Sequence, residues 1–123
     1  GAVAFFAFYL LCGVISGLGY AALHLSQTEP VIGASGAVSG LMGAASRLFG
    51  RREGLNPLTS SPVVSLAVGW VLVNAIMAVF GAGVLAGGAR IAWEAHIAGF
   101  AAGVLLIGPW RRLGDPEQPE QSP

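Results

Sequence analysis

Ser35 and His96 are the two residues through which this sequence could do chemistry. Ser35 stands in Gly33-Ala34-Ser35-Gly36, and His96 in Ala95-His96-Ile97-Ala98-Gly99, which continues to Gly103. A serine hydroxyl is a poor nucleophile until a base within hydrogen-bond reach takes its proton, and an imidazole is the usual base. Each residue sits at or near the start of an apolar stretch long enough to enter a bilayer, where polar groups are costly and usually functional. Two simpler roles compete. Ser35 could only cap a helix N-terminus, and His96 could only make a structural hydrogen bond. Either motif alone therefore carries little weight.

The composition says what must position them. Of 123 residues, 54% are hydrophobic and only 10% charged. A soluble domain carries about a quarter charged residues, so the lipid bilayer is the expected surrounding. Formal net charge is zero, which gives no reason to expect a nucleic-acid partner. No His, Cys, Asp or Glu cluster has metal-ligand spacing and no phosphate loop is present, so neither a metal nor a cofactor is expected. Cys12, the one cysteine, reads as a small buried apolar residue. The chain opens Gly-Ala-Val-Ala without an initiator Met or a basic leader, as a cut through a longer protein would. Residues 1–113 are expected to form one membrane domain, and 114–123, acidic and proline-rich, a disordered cytoplasmic tail.

Four apolar segments lie at roughly 1–23, 35–49, 63–85 and 91–110. Three have the ~20 residues needed to cross a ~30 Å hydrocarbon core. The second, at ~22 Å, is too short by ~8 Å, which would leave Ser35 below the membrane surface in a protein-lined or water-filled depression. Arg47, Arg51 and Arg52 follow the second segment, Arg111 and Arg112 follow the fourth, and only Arg90 lies between the third and fourth. The bias puts the 47–62 loop and the C-terminus in the cytoplasm. Ser35 and His96 then share the outer half of parallel helices, with His96 also ~8 Å deep, five residues into its span. Gly33 and Gly36 allow a tight turn and close approach of a substrate backbone, with Ala34 between them. The free N–H groups of the helix start suit an oxyanion. Gly36, Gly40 and Gly43 on one span and Gly99 and Gly103 on the other form small-residue strips that permit close helix contact. The combination points to a serine protease that works inside the membrane.

Gly33-Ala34-Ser35-Gly36-Ala37-Val38-Ser39-Gly40-Leu41-Met42-Gly43-Ala44 together with Ala95-His96-Ile97-Ala98-Gly99-Phe100-Ala101-Ala102-Gly103 resembles the rhomboid family of intramembrane serine proteases. The resemblance covers nearly all of the chain apart from the tail. It implies an all-α, polytopic transmembrane bundle in which these four spans are the third to sixth of a six-helix core. It further implies Ser35 as nucleophile, His96 as general base, no cofactor, and transmembrane segments of other proteins as substrates. The expected location is multi-pass in a bacterial inner membrane. In the family an earlier helix supplies a histidine and an asparagine to the oxyanion hole, so this chain by itself is expected to be inactive. Many members carry an aromatic residue four positions after the serine, packed on the histidine ring; here Ser39 stands there, a possible support for the imidazole or only a small contact residue. Glu94, off the His96 face, reads as an interfacial charge, His24 as a solvated loop residue, and Asn74 as a bond to a neighbouring helix. A non-catalytic adaptor that binds client helices, or a channel or transporter subunit, remains a competing class.

Overall fold

The computed structural model describes residues 1–26, 33–84 and 92–114, the side chains of 81–84 excepted. Four helices account for the architecture: α1 (Ala2–Leu23), α2 (Ser35–Leu48), α3 (Ser61–Val84) and α4 (Trp93–Gly114). No strand occurs among the described residues. Arg90, the glycine-rich 85–88 connection and the tail beyond Gly114 lie outside them. Gly114 itself, expected as the first residue of the tail, closes α4, which continues past Pro109. Pro62 sits in the first turn of α3, where its missing N–H is harmless.

Length and apolarity separate the helices. α1 and the Ser61–Phe80 part of α3 are long and apolar enough to cross a bilayer, with mean hydropathy 2.1 and 2.3. α4 is as long as α1 at 22 residues, so three helices have the length expected of a span, although Glu94, His96 and its glycines make α4 the least apolar of the three. α2 has 14 residues, or about 21 Å. The outward faces of α1 (Phe6, Leu10, Val14, Leu18) and α3 (Val68, Val71, Leu72, Val79) are exposed and apolar, surfaces suited to hydrocarbon.

The short helix is the centre of the bundle. α2 packs against α1, α3 and α4, and α4 against all the others, whereas α1 and α3 make no close backbone approach among the described residues. What lets α2 sit there is the size of its residues: Gly36, Ala37, Ser39, Gly40, Gly43, Ala44 and Ser46 are buried. A Cβ on Gly99 would strike the Gly36 carbonyl oxygen, one on Gly103 the Gly40 oxygen, and one on Gly43 the Phe100 oxygen. The backbones of α2 and α4 are thus in direct contact. On its other side, α2 lays Gly36 against Ser16 and Gly40 against Cys12 of α1, and Cys12 is fully buried there. At the arginine end, larger side chains take over: Phe8, Ala44 and Ile107 form a cluster with Cys12, covered by Leu41, Leu55 and Trp110. There the last carbonyls of α2 need partners that its own turns cannot supply. Asn56 provides them, its Nδ2 donating to Ser46 O at 3.2 Å and Phe49 O at 2.8 Å and its backbone N–H to Arg47 O at 2.6 Å. Arg111 of α4 reaches Gly54 O in the same loop at 2.9 Å.

Candidate active site

At the opposite end of α2, Gly33 turns the chain into the helix with φ +138°, a conformation that side-chain-bearing residues rarely adopt. Ala34 is the residue at the N-cap, with no side-chain cap bond, and Ser35 is the first helical residue. Ser35 therefore does not cap its own helix. Its hydroxyl is left free to point elsewhere, and the first N–H groups of α2 have no acceptor within the helix.

The Ser35 hydroxyl points at His96. Oγ lies 2.9 Å from Nε2, at the exposed edge of the bundle. The residues reach each other because Gly36, beside Ser35, and Gly99, one turn beyond His96, bring the two backbones together. α4 is also pinned to α1 at this level, where the buried Ser16 Oγ donates to Ala95 O at 2.6 Å. The other ring nitrogen, Nδ1, lies 2.7 Å from Oδ1 of Asn74 on α3. The Asn74 amide in turn donates from Nδ2 to Trp70 O at 2.8 Å. The Trp70 ring stands 6.3 Å from the imidazole, tilted by 48°, and stacks beside Phe100 at 6.4 Å.

Other residues singled out from the sequence fall as follows. Ser39 is fully buried one turn below Ser35, and its hydroxyl donates to Ser35 O at 2.7 Å, not to the imidazole. Gly40, Gly43 and Gly103 lie along the α2–α4 seam, away from the hydroxyl. His24 is not a solvated loop residue: it stacks on Tyr20 at 4.2 Å, its Nδ1 lies 3.1 Å from Tyr20 O, and its Nε2 lies 3.5 Å from Glu94. Glu94 accordingly meets His24, the residue that follows α1, rather than only the interface. No group of His, Cys, Asp and Glu among the described residues could hold a metal ion. Sequence reasoning gave Asn74 a bond to a neighbouring helix, but nothing identified His96 as its partner; Ser16 carried no signal at all.

The arrangement places a serine hydroxyl in hydrogen-bond contact with an imidazole, with free N–H groups at the helix start beside it. That is the equipment for acyl transfer. In comparison with known proteins, a family model described as the Rhomboid domain matches residues 1–112. Neither the curated proteins nor the solved structures yield a significant match.

Proposed function

Because the chain belongs to the rhomboid family, whose members are embedded in membranes, we propose that it is the part of an intramembrane serine endopeptidase that carries the nucleophile and the base. The observation that supports this most is the 2.9 Å contact between Ser35 Oγ and His96 Nε2. In the proposed reaction, Nε2 takes the hydroxyl proton as Oγ attacks a peptide carbonyl carbon. The carbonyl oxygen becomes an oxyanion near the free N–H groups that open α2. When the tetrahedral intermediate collapses, Nε2 returns the proton to the leaving amine and the acyl chain stays on Oγ. A water molecule, deprotonated by Nε2, then attacks the acyl carbon, and as the C–Oγ bond breaks Nε2 returns the proton to Oγ and the acid leaves.

The proposed substrate is a transmembrane segment of another protein, locally unwound so that its backbone reaches Ser35. Ser35 is exposed, and no Cβ stands on Gly33 or Gly36 to keep a chain away. The proposed setting is a bacterial inner membrane. An adaptor that only binds client helices would have no use for a serine aligned on an imidazole.

The test uses the full-length protein, reconstituted with a transmembrane reporter. Cleavage is expected, with loss in both Ser35→Ala and His96→Ala, and a fluorophosphonate probe should label the unsubstituted protein but not Ser35→Ala. Undiminished cleavage by Ser35→Ala would remove the nucleophile and with it the proposal.

A further inference from the structure

His96 has two ring nitrogens, and the reaction above uses one. The other, Nδ1, faces Oδ1 of Asn74 at 2.7 Å. We propose that Asn74 is a positioning residue of this site, holding His96 in the tautomer and orientation that let it act as a base; this rests on the protease reading above.

Donor and acceptor types force the assignment. The Trp70 carbonyl can only accept, so the Asn74 group that meets it at 2.8 Å is the NH2. The amide oxygen is then the atom facing His96, and it too can only accept. The proton between them belongs to Nδ1. Nε2 is left with a lone pair, and the Ser35 hydroxyl, 2.9 Å away, donates to it. With the imidazole neutral, reversing any one bond would set two donors or two acceptors against each other further along the chain. The chain of bonds therefore runs in one direction, from Ser35 through His96 and Asn74 to the α3 backbone.

Nothing else among the described residues holds the ring this way. Ser39, one turn from Ser35, has a short side chain bonded to Ser35 O at 2.7 Å. Trp70 is tilted by 48° at 6.3 Å and does not stack on the imidazole. Asn74 itself is 2% exposed on an otherwise apolar helix, a position where a polar side chain needs a partner. Without the amide oxygen the ring is free to carry its proton on Nε2. It would then present a donor to Ser35 and could not accept the hydroxyl proton. An amide suffices to accept the Nδ1 proton, and it brings no charge into the span.

The experiment uses full-length protein in nanodiscs with 15N-labelled histidine, the His96 signals being those absent from His96→Ala. The nitrogen shifts report which ring nitrogen carries the proton, whether or not the protein cleaves anything. The unsubstituted protein should carry it on Nδ1. Asn74→Leu should move it to Nε2 and lower kcat roughly 10- to 100-fold, with KM changed less than about twofold, because only base function is lost. Asn74→Asp keeps an acceptor, so Nδ1 should remain protonated and most of the lost rate should return. An unsubstituted protein with a bare Nδ1, or an Asn74→Leu variant with unchanged tautomer and kcat, would overturn the proposal. If Asn74→Leu does not fold, the other two proteins decide: a proton on Nδ1 in both supports it, and a bare Nδ1 in either refutes it. A full-length protein that never cleaves fails the protease reading, while the tautomer still supports or refutes the Asn74 assignment.

Discussion

Substituting Gly99 by alanine tests whether the glycine seam sets the distance between nucleophile and base. The added Cβ would lie 3.0 Å from the Gly36 carbonyl carbon and 3.4 Å from Ser16 Cβ, and it would strike the Gly36 oxygen. Non-bonded carbons prefer about 3.5–4.0 Å, so the α2 backbone must withdraw by roughly 0.5–1 Å. No side chain on Gly36 or Gly99 can rotate to absorb the change. Gly36 adjoins Ser35, so the Oγ–Nε2 separation of 2.9 Å should open to about 3.4–3.9 Å, past the limit of a useful hydrogen bond. A displacement of ~1 Å at a reacting pair costs on the order of 100-fold in rate, and the overpacking itself costs ~1–3 kcal/mol of stability. The measurement is kcat for cleavage of a transmembrane reporter by the full-length protein in nanodiscs. Gly69→Ala is the control, since nothing lies within 4 Å of a Cβ built there. A Gly99→Ala enzyme that keeps kcat within twofold of the unsubstituted protein would refute the reasoning.

Two further outcomes are expected away from the pair. Asn56→Ala removes the donor that closes the last carbonyls of α2; leaving buried acceptors unpaired should cost ~1–3 kcal/mol, read as a lower denaturation midpoint, with the Ser35–His96 tautomer signal unchanged below it. Reporter fusions after Arg52 and after Arg112 should both score cytoplasmic, as the arginine bias requires, and an external signal at either would overturn that topology.

Residues whose role follows from size and spacing along one helix were readable in advance. Gly36, Gly40 and Gly43 on one span and Gly99 and Gly103 on another permit a close seam, and a seam bearing Ser35 at one end and His96 at the matching depth would bring them together. Residues whose role depends on how a helix is rotated were not. α3 is apolar nearly all round, so its sequence says that Asn74 needs a partner without saying on which side it lies. Ser16, a small residue in an apolar span, looks like any packing residue until Ala95 O is beside it. His24 and Glu94 meet across 70 residues of chain at a place no periodicity marks. Asn56 reads as an ordinary loop residue because the carbonyls it closes belong to a helix that has already ended.

Bilayers differ in thickness, and helices meet the mismatch by tilting. α2 and α4 touch backbone to backbone and must tilt as one body, so the nucleophile–base separation travels with them as a fixed length. Among the described residues α3 makes no close backbone approach to α1 and meets α2 and α4 less extensively than they meet each other, so it is the element expected to shift first. Thinning or thickening the membrane should therefore disturb the Asn74–His96 bond before the Ser35–His96 bond. In a series of lipids of increasing chain length, the proton on Nδ1 should be lost, and fluorophosphonate labelling of Ser35 should slow in step with it because the base no longer takes the hydroxyl proton. Membrane thickness would then act as a throttle on the base and leave the nucleophile in register.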